Sequence, residues 1–198
     1  MTISATRRGE ADPAILAPAR DAVTAAEAIL ADAAAGLRAK IAPDGKLAAA
    51  ALDREQAAAH GLAWLATYVE AVHQLAAYAD RLSAAGRLGA AEELLVRIGL
   101  GEYLAQIFGG IAMSQTEIVR LSALGLSDER IESRKTPAVQ ELIASGTATE
   151  ARARLADLIA TADGAQIFGD SGLDETLEAM RSEMRRFTEK EIAPHAHA

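Results

Sequence analysis

The chain has 198 residues, a net charge of −8, and 51% hydrophobic but only 4% aromatic residues, with no cysteine. That length holds one domain or slightly more. The acidic balance excludes nucleic acid as the main partner, because phosphate binding needs clustered Lys and Arg. The missing thiols exclude disulfides, thiolate metal sites and cysteine nucleophiles.

The apolar content is mostly Ala and Leu, which favours close helix–helix packing over a thick sheet core. No run of alternating β-branched residues signals a strand. The expected fold class is therefore all-α, a helical bundle around a long central helix at about 47–85. In chain order, residues 1–12 are polar and predict a disordered tail. A first helix starts near Pro13 and runs to about Ile41, with Leu16, Val23, Ala26, Leu30, Leu37 and Ile41 in its apolar set. Pro43-Asp44-Gly45 is a turn, since Pro presets φ and Asp and Gly tolerate the remaining geometry.

Residues 52–82 are the best-specified stretch. They hold the sole Trp, Trp64, and no Pro. One apolar series runs along Leu52, Ala59, Leu62, Ala66, Val69, Val72, Ala76, Ala79 and Leu82, and a second along Trp64, Tyr68, Ala71, Leu75 and Tyr78. Two stripes predict a helix packed on both sides. Gly86 ends it.

The next helix covers about 88–108, with Leu94, Leu95, Ile98, Ala105 and Phe108 as its expected buried side. Gly99 and Gly101 cost roughly 1 kcal/mol each against Ala inside a helix. A close crossing with the large residues of the central helix is the expected reason. Gly109-Gly110 stops this helix. Ser114 to Glu117 reads Ser-x-x-Glu, a capping box expected to open a short helix through Arg120. Residues 122–135 read as irregular or a short helix. Thr136-Pro137 is a cap followed by Pro at the first helical position, so a helix through Ala144 is expected. Thr147 to Glu150 is a second capping box, leading a helix to about Ala162. Residues 163–172 are turn-rich and predict a linker. A last helix over about 173–192 carries the stripe Leu173, Leu177, Met180, Met184 and Phe187, and Pro194 terminates it. Its Arg181, Arg185, Arg186 and Lys190 alternate with Glu178, Glu183, Glu189 and Glu191, the pattern of a self-paired solvated face.

Residues 61–79, the most apolar long run, carry Glu70, His73 and Gln74, so no membrane span is expected. The first residues lack an apolar signal region, and the expected compartment is the cytoplasm. Tests for site chemistry are negative. Glu70 and His73 have the Glu-x-x-His spacing of di-iron bundles, but a second motif and two more carboxylates are wanting. His195 and His197 are two ligands on a flexible end. Gly169-Asp170-Ser171-Gly172 resembles a protease nucleophile segment without its β-barrel or His–Asp partners. Gly99-x-Gly101 follows no strand, and the capping role accounts for Ser114. No catalytic or metal-binding residue is expected.

Two stretches nevertheless resemble the acyl-CoA dehydrogenase family, and they resemble opposite ends of it. Residues 173–198 resemble the first helix of the family's N-terminal α-domain, truncated here. The helix ends in Arg-x-Phe, charged residues and Ile-Ala-Pro, at Arg185, Phe187, Glu189, Glu191, Ile192, Ala193 and Pro194. Residues 58–120 resemble, in degenerate form, the C-terminal four-helix domain. The features are Glu70-Ala71, Leu75, Tyr78, Gly86, Ala90-Ala91 and the run Gln106-Ile107-Phe108-Gly109-Gly110. In the family that run lies near the adenine end of a flavin in a neighbouring subunit. Here Ile111-Ala112-Met113 replaces the Gly-Tyr that usually follows. Gln106, Phe108, Gly109 and Gly110 are thus a weak echo of a cofactor contact. A similar Ala-Gln-Ile-Phe-Gly run recurs at 165–169.

The resemblance implies α,β-dehydrogenation of a short branched or dicarboxylic acyl-CoA, with FAD and a catalytic Glu supplied by parts of a full-length member that this chain lacks. In that reading residues 13–162 are an accessory bundle for packing and oligomerisation. The partners are the remainder of the dehydrogenase and a second subunit, and the 198-residue chain alone binds no FAD and is inactive. The alternative is a self-contained, non-catalytic α-helical interaction module, which should bury the stripe at 177–187 within the chain or in a homodimer.

Overall fold

A computed structural model describes residues 13–161 and 173–196. The expected tail at 1–12, the linker at 163–172 with its repeat and its Gly-Asp-Ser-Gly run, and His197 lie outside the described residues. The chain divides into two compact units between residues 167 and 168.

The first unit is an α-helical bundle. A 3-10 turn, Pro13–Ile15, leads into α1 (Leu16–Ile41); α2 (Ala49–Arg54) and α3 (Gln56–Ala84) follow. The central helix expected at about 47–85 is α3, with the short α2 set off from it at Glu55. At 1.5 Å per residue, α3 is about 44 Å long. It ends at Gly86, whose φ of 63° no β-carbon tolerates well. Then come α4 (Ala90–Gly109), α5 (Asp128–Arg134), α6 (Pro137–Gly146) and α7 (Thr149–Thr161).

As the two stripes predicted, α3 packs on both α1 and α4. Its fully packed side is Leu65, Val69, Val72, Ala76, Ala79 and Leu82, whereas Trp64, Tyr68, Leu75 and Tyr78 are only partly buried. On α1 the buried side is Ala19, Ala22, Ala25, Ala26, Ile29, Ala33 and Leu37. The larger Leu16, Val23 and Leu30, expected in the core, lie at its margin. The physical reason is alanine: a face of methyl groups lets α1 approach α3 closely and displaces bulkier residues to the rim.

The face of α4 is also rotated from expectation. Val96, Leu100, Leu104 and Ile107 are buried, while Leu95 is 39% exposed. This helix packs on both α3 and α6, so it is apolar nearly all round and its periodicity is ambiguous. Its glycines separate the two neighbours. A β-carbon on Gly99 would meet the Leu75 side chain of α3 at 2.9 Å, as expected of a crossing with the central helix. One on Gly101 would instead meet α6, at 2.6 Å from the Leu142 carbonyl oxygen and 2.7 Å from the Gly146 Cα.

Two capping-box readings are corrected. Ser114 opens no helix. It sits in the loop of a small antiparallel hairpin, β1 (Ile111–Ala112) with β2 (Ile118–Val119), where Ile111 pairs with Val119. Its hydroxyl accepts from the N–H groups of Thr116 and Glu117. Loop closure by Met113 N–H to the Glu117 carbonyl at 2.9 Å favours the ladder over a helical turn. This is also where the structure departs from an expectation of no strand. Thr147 likewise caps backwards, donating its hydroxyl to the Ile143 carbonyl at the end of α6. By contrast, Thr136 accepts from Val139 N–H at the start of α6, with Pro137 at the first position, as read from sequence.

The second unit is α8 (Glu175–Phe187), continued by a π-turn (Thr188–Ile192) and a 3-10 turn (Ala193–His195) that contains Pro194. Asp174 caps α8 by accepting from Leu177 N–H at 2.8 Å. The stripe Leu177, Met180, Met184 and Phe187 is exposed. Arg181 pairs with Glu178 and Arg186 with Glu183, so two of the four basic residues pair along their own helix.

Candidate functional site

The site with a functional precedent in the sequence is the end of α4. Gln106 is partly buried there and engaged at both ends of its amide. Its Oε1 accepts from the Tyr68 hydroxyl of α3 at 3.0 Å, and its Nε2 donates to the Glu102 carbonyl at 3.3 Å. Phe108 lies under the Lys135 ammonium, 5.7 Å from the ring centroid, a cation–π contact that ties α4 to the segment after α5. Gly109 is open to solvent on its Cβ side. Gly110 has φ 121° and donates its N–H to the Gln106 carbonyl at 2.7 Å; a β-carbon there would meet Ile118 at 2.6 Å. The glycine pair therefore turns the chain from α4 into the hairpin.

Around Gln106 the structure assembles an aromatic ladder. Tyr68 meets Tyr103 edge-to-face at 5.1 Å, and Trp64 stands 6.5 Å from Tyr68. The Trp64 indole N–H donates to His60 Nε2 at 3.1 Å, which fixes that nitrogen as an acceptor. Tyr103, His60 and the link to Gln106 were missed in sequence. The spacing of His60, Trp64 and Tyr68 by four was the available signal.

The remaining candidates stay apart. Glu70 and His73 are exposed neighbours on α3, with 3.7 Å between Oε2 and Nδ1, and Gln74 donates to Glu70. His195 lies in the second unit. Among the described residues, no group of three His, Asp or Glu could hold a metal ion, and no helix is long and apolar enough to cross a membrane.

The strongest charged cluster joins α1 to α5. Arg130 donates to both oxygens of Asp32, at 2.8 and 2.9 Å, and Arg134 adds a bond at 3.0 Å. The Arg130 guanidinium, and after it Arg134, hold the Asp32 carboxyl down at about 2 against the desolvation that would raise it. A cleft of about 280 Å³ beside it is lined by Asp21, Thr24, Arg134 and Thr136. Its acidic and basic groups are balanced, so it selects neither an anion nor a cation.

Among curated proteins, a (2S)-methylsuccinyl-CoA dehydrogenase of Cereibacter sphaeroides is 46% identical over 183 residues, which is 92% of this chain. The chain is similar along nearly its whole length to part of that dehydrogenase. It spans only 33% of the length of that relative. No family model matches it. The relationship therefore rests on a match along nearly the whole of this chain, including the α3–α4 region that carries the Gln106 run.

Proposed function

We propose that this chain is the N-terminal portion of an FAD-dependent acyl-CoA dehydrogenase and that residues 13–161 serve packing and oligomerisation. The observation that carries this reading is the 46% identity over 92% of the chain to one third of a (2S)-methylsuccinyl-CoA dehydrogenase. The whole protein would oxidise a short branched or dicarboxylic acyl-CoA, such as methylsuccinyl-CoA, at its α,β-carbons. The catalytic base and the flavin-binding residues belong to the remainder of that protein. The exposed stripe of α8 is what a helix contributing to another domain would present.

The Gln106–Gly110 run is engaged within the bundle. Its amide is bonded to Tyr68 and Glu102, its terminal N–H to the Gln106 carbonyl, and the space beside Gly110 is filled by Ile118. In this reading the run serves as a staple joining α3, α4 and the hairpin of an accessory bundle. Two measurements test the reading. The 198-residue chain, mixed with FAD and desalted, should retain no flavin absorbance. In a full-length protein, deletion of residues 13–161 should change the sedimentation-derived subunit number or the flavin retained. A deletion that alters neither refutes the packing role.

A further inference from the structure

α7 differs from every other long helix of the bundle. Its 13 residues include none that is buried. Leu155 and Leu158 reach only intermediate burial, and Ile159 is 48% exposed. It packs chiefly on α4. Under its first turns the fit is incomplete: a groove of about 500 Å³ is lined by Glu93, Leu94, Arg97, Ser145, Glu150 and Arg154. Arg97 closes the floor of that groove, bonded to Glu93, Glu141 and Ser145.

One side chain does most of the fastening. The Arg152 guanidinium pairs with Glu102 of α4, and it donates to the Thr147 carbonyl at 3.0 Å, where α6 ends. Longer contacts reach the Gly146 and Ala148 carbonyls. Its hydrogen bonds therefore join α4, the end of α6 and α7 at one point. A helix with little buried apolar surface and one polar fastening sits at the low end of local stability.

We propose that α7 is a strap held shut by Arg152, which undocks as a unit while the bundle stays folded and opens the groove it shares with α4 and α6. The latch is half exposed and ionic, so salt weakens it.

Hydrogen exchange of the whole 198-residue chain, read by mass spectrometry, tests this. Amides of 149–161 should exchange at least about a hundredfold faster than those of α3 and α4, the signature of a local opening. Arg152→Ala should speed exchange in α7 about fivefold, the scale of a half-exposed ion pair, and leave α3 unchanged. Reversing the pair, Glu102→Arg with Arg152→Glu, should recover part of that protection. Exchange of α7 at the same rate as α4, or acceleration of α3 and α7 together in Arg152→Ala, would overturn the proposal.

Discussion

The crossing of α4 and α6 at Gly101 and Gly146 gives a sharp prediction, because glycines elsewhere on α4 act as internal controls. In Gly101→Ala the new β-carbon starts 2.6 Å from the Leu142 carbonyl oxygen and 2.7 Å from the Gly146 Cα. Both opponents are backbone, so neither can swing away. Ordinary contact requires the helices to part by about 0.8 Å, which loosens the packing of Leu100, Val139 and Leu142 across the interface. Overpacking of this kind costs about 1–3 kcal/mol, offset by about 1 kcal/mol of helix propensity gained on replacing Gly. The net expectation is a loss of up to about 2 kcal/mol. Gly109→Ala meets nothing within 4 Å and should gain about 0.5 kcal/mol. Gly99→Ala meets only the movable end of Leu75, so its effect should lie between the two. Urea unfolding followed by far-ultraviolet circular dichroism reads all three, and the spread between Gly101→Ala and Gly109→Ala is the decisive quantity. Gly146→Ala opens the same crossing, because its β-carbon would strike the Arg97 carbonyl. The double variant should therefore lose less than the two single losses added. A Gly101→Ala protein as stable as Gly109→Ala would refute the close crossing.

Four further outcomes are expected. Asp32 has a folded-state pKa lowered from 3.8 to about 2; its contribution is thus complete above pH 3.8 and is lost as pH falls toward 2. Asp32→Asn should cost about 1–2 kcal/mol at neutral pH and flatten that part of the acid-unfolding curve, read by urea midpoints at several pH values. Tyr68→Phe removes the donor to Gln106 and should cost about 0.5–1.5 kcal/mol by the same assay, with the helical signal unchanged. Leu65→Ala, at a fully buried position on α3, should cost about 2–5 kcal/mol. Met184→Glu, at a position 63% exposed on α8, should leave the unfolding midpoint of the bundle where it is.

Helix existence was legible because Pro, Gly and the apolar period punctuate this chain clearly. Thr136-Pro137 placed the start of α6, and Gly86 and Gly110 placed the ends of α3 and α4. Which face is buried was less legible. On α1 the rule that large apolar residues mark the core picks Leu16, Val23 and Leu30, yet Ala19, Ala22, Ala26 and Ala33 meet the bundle. Alanine is the residue through which two helix backbones come closest, and composition alone cannot tell a packing alanine from a neutral one. The Ser/Thr-x-x-Glu patterns misled for a related reason. A hydroxyl caps whatever backbone N–H lies near it, and at Ser114 the near ones belong to a hairpin loop.

The Gln106 run poses the deeper question of what a matching motif means. Its residue types invite a flavin contact, but their partners are Tyr68, Glu102, Lys135 and Ile118, all from this same bundle. Tyr68 could not be assigned from spacing within the run, because it is 38 residues away on another helix. A glutamine amide has one carbonyl and one NH2 group to offer. Tyr68 donates to the first and Glu102 accepts from the second, which leaves one lone pair and one N–H; only a ligand that displaces the Tyr68 hydroxyl breaks a bond between α3 and α4. That bond ties Gln106 to the packing of α4 on α3.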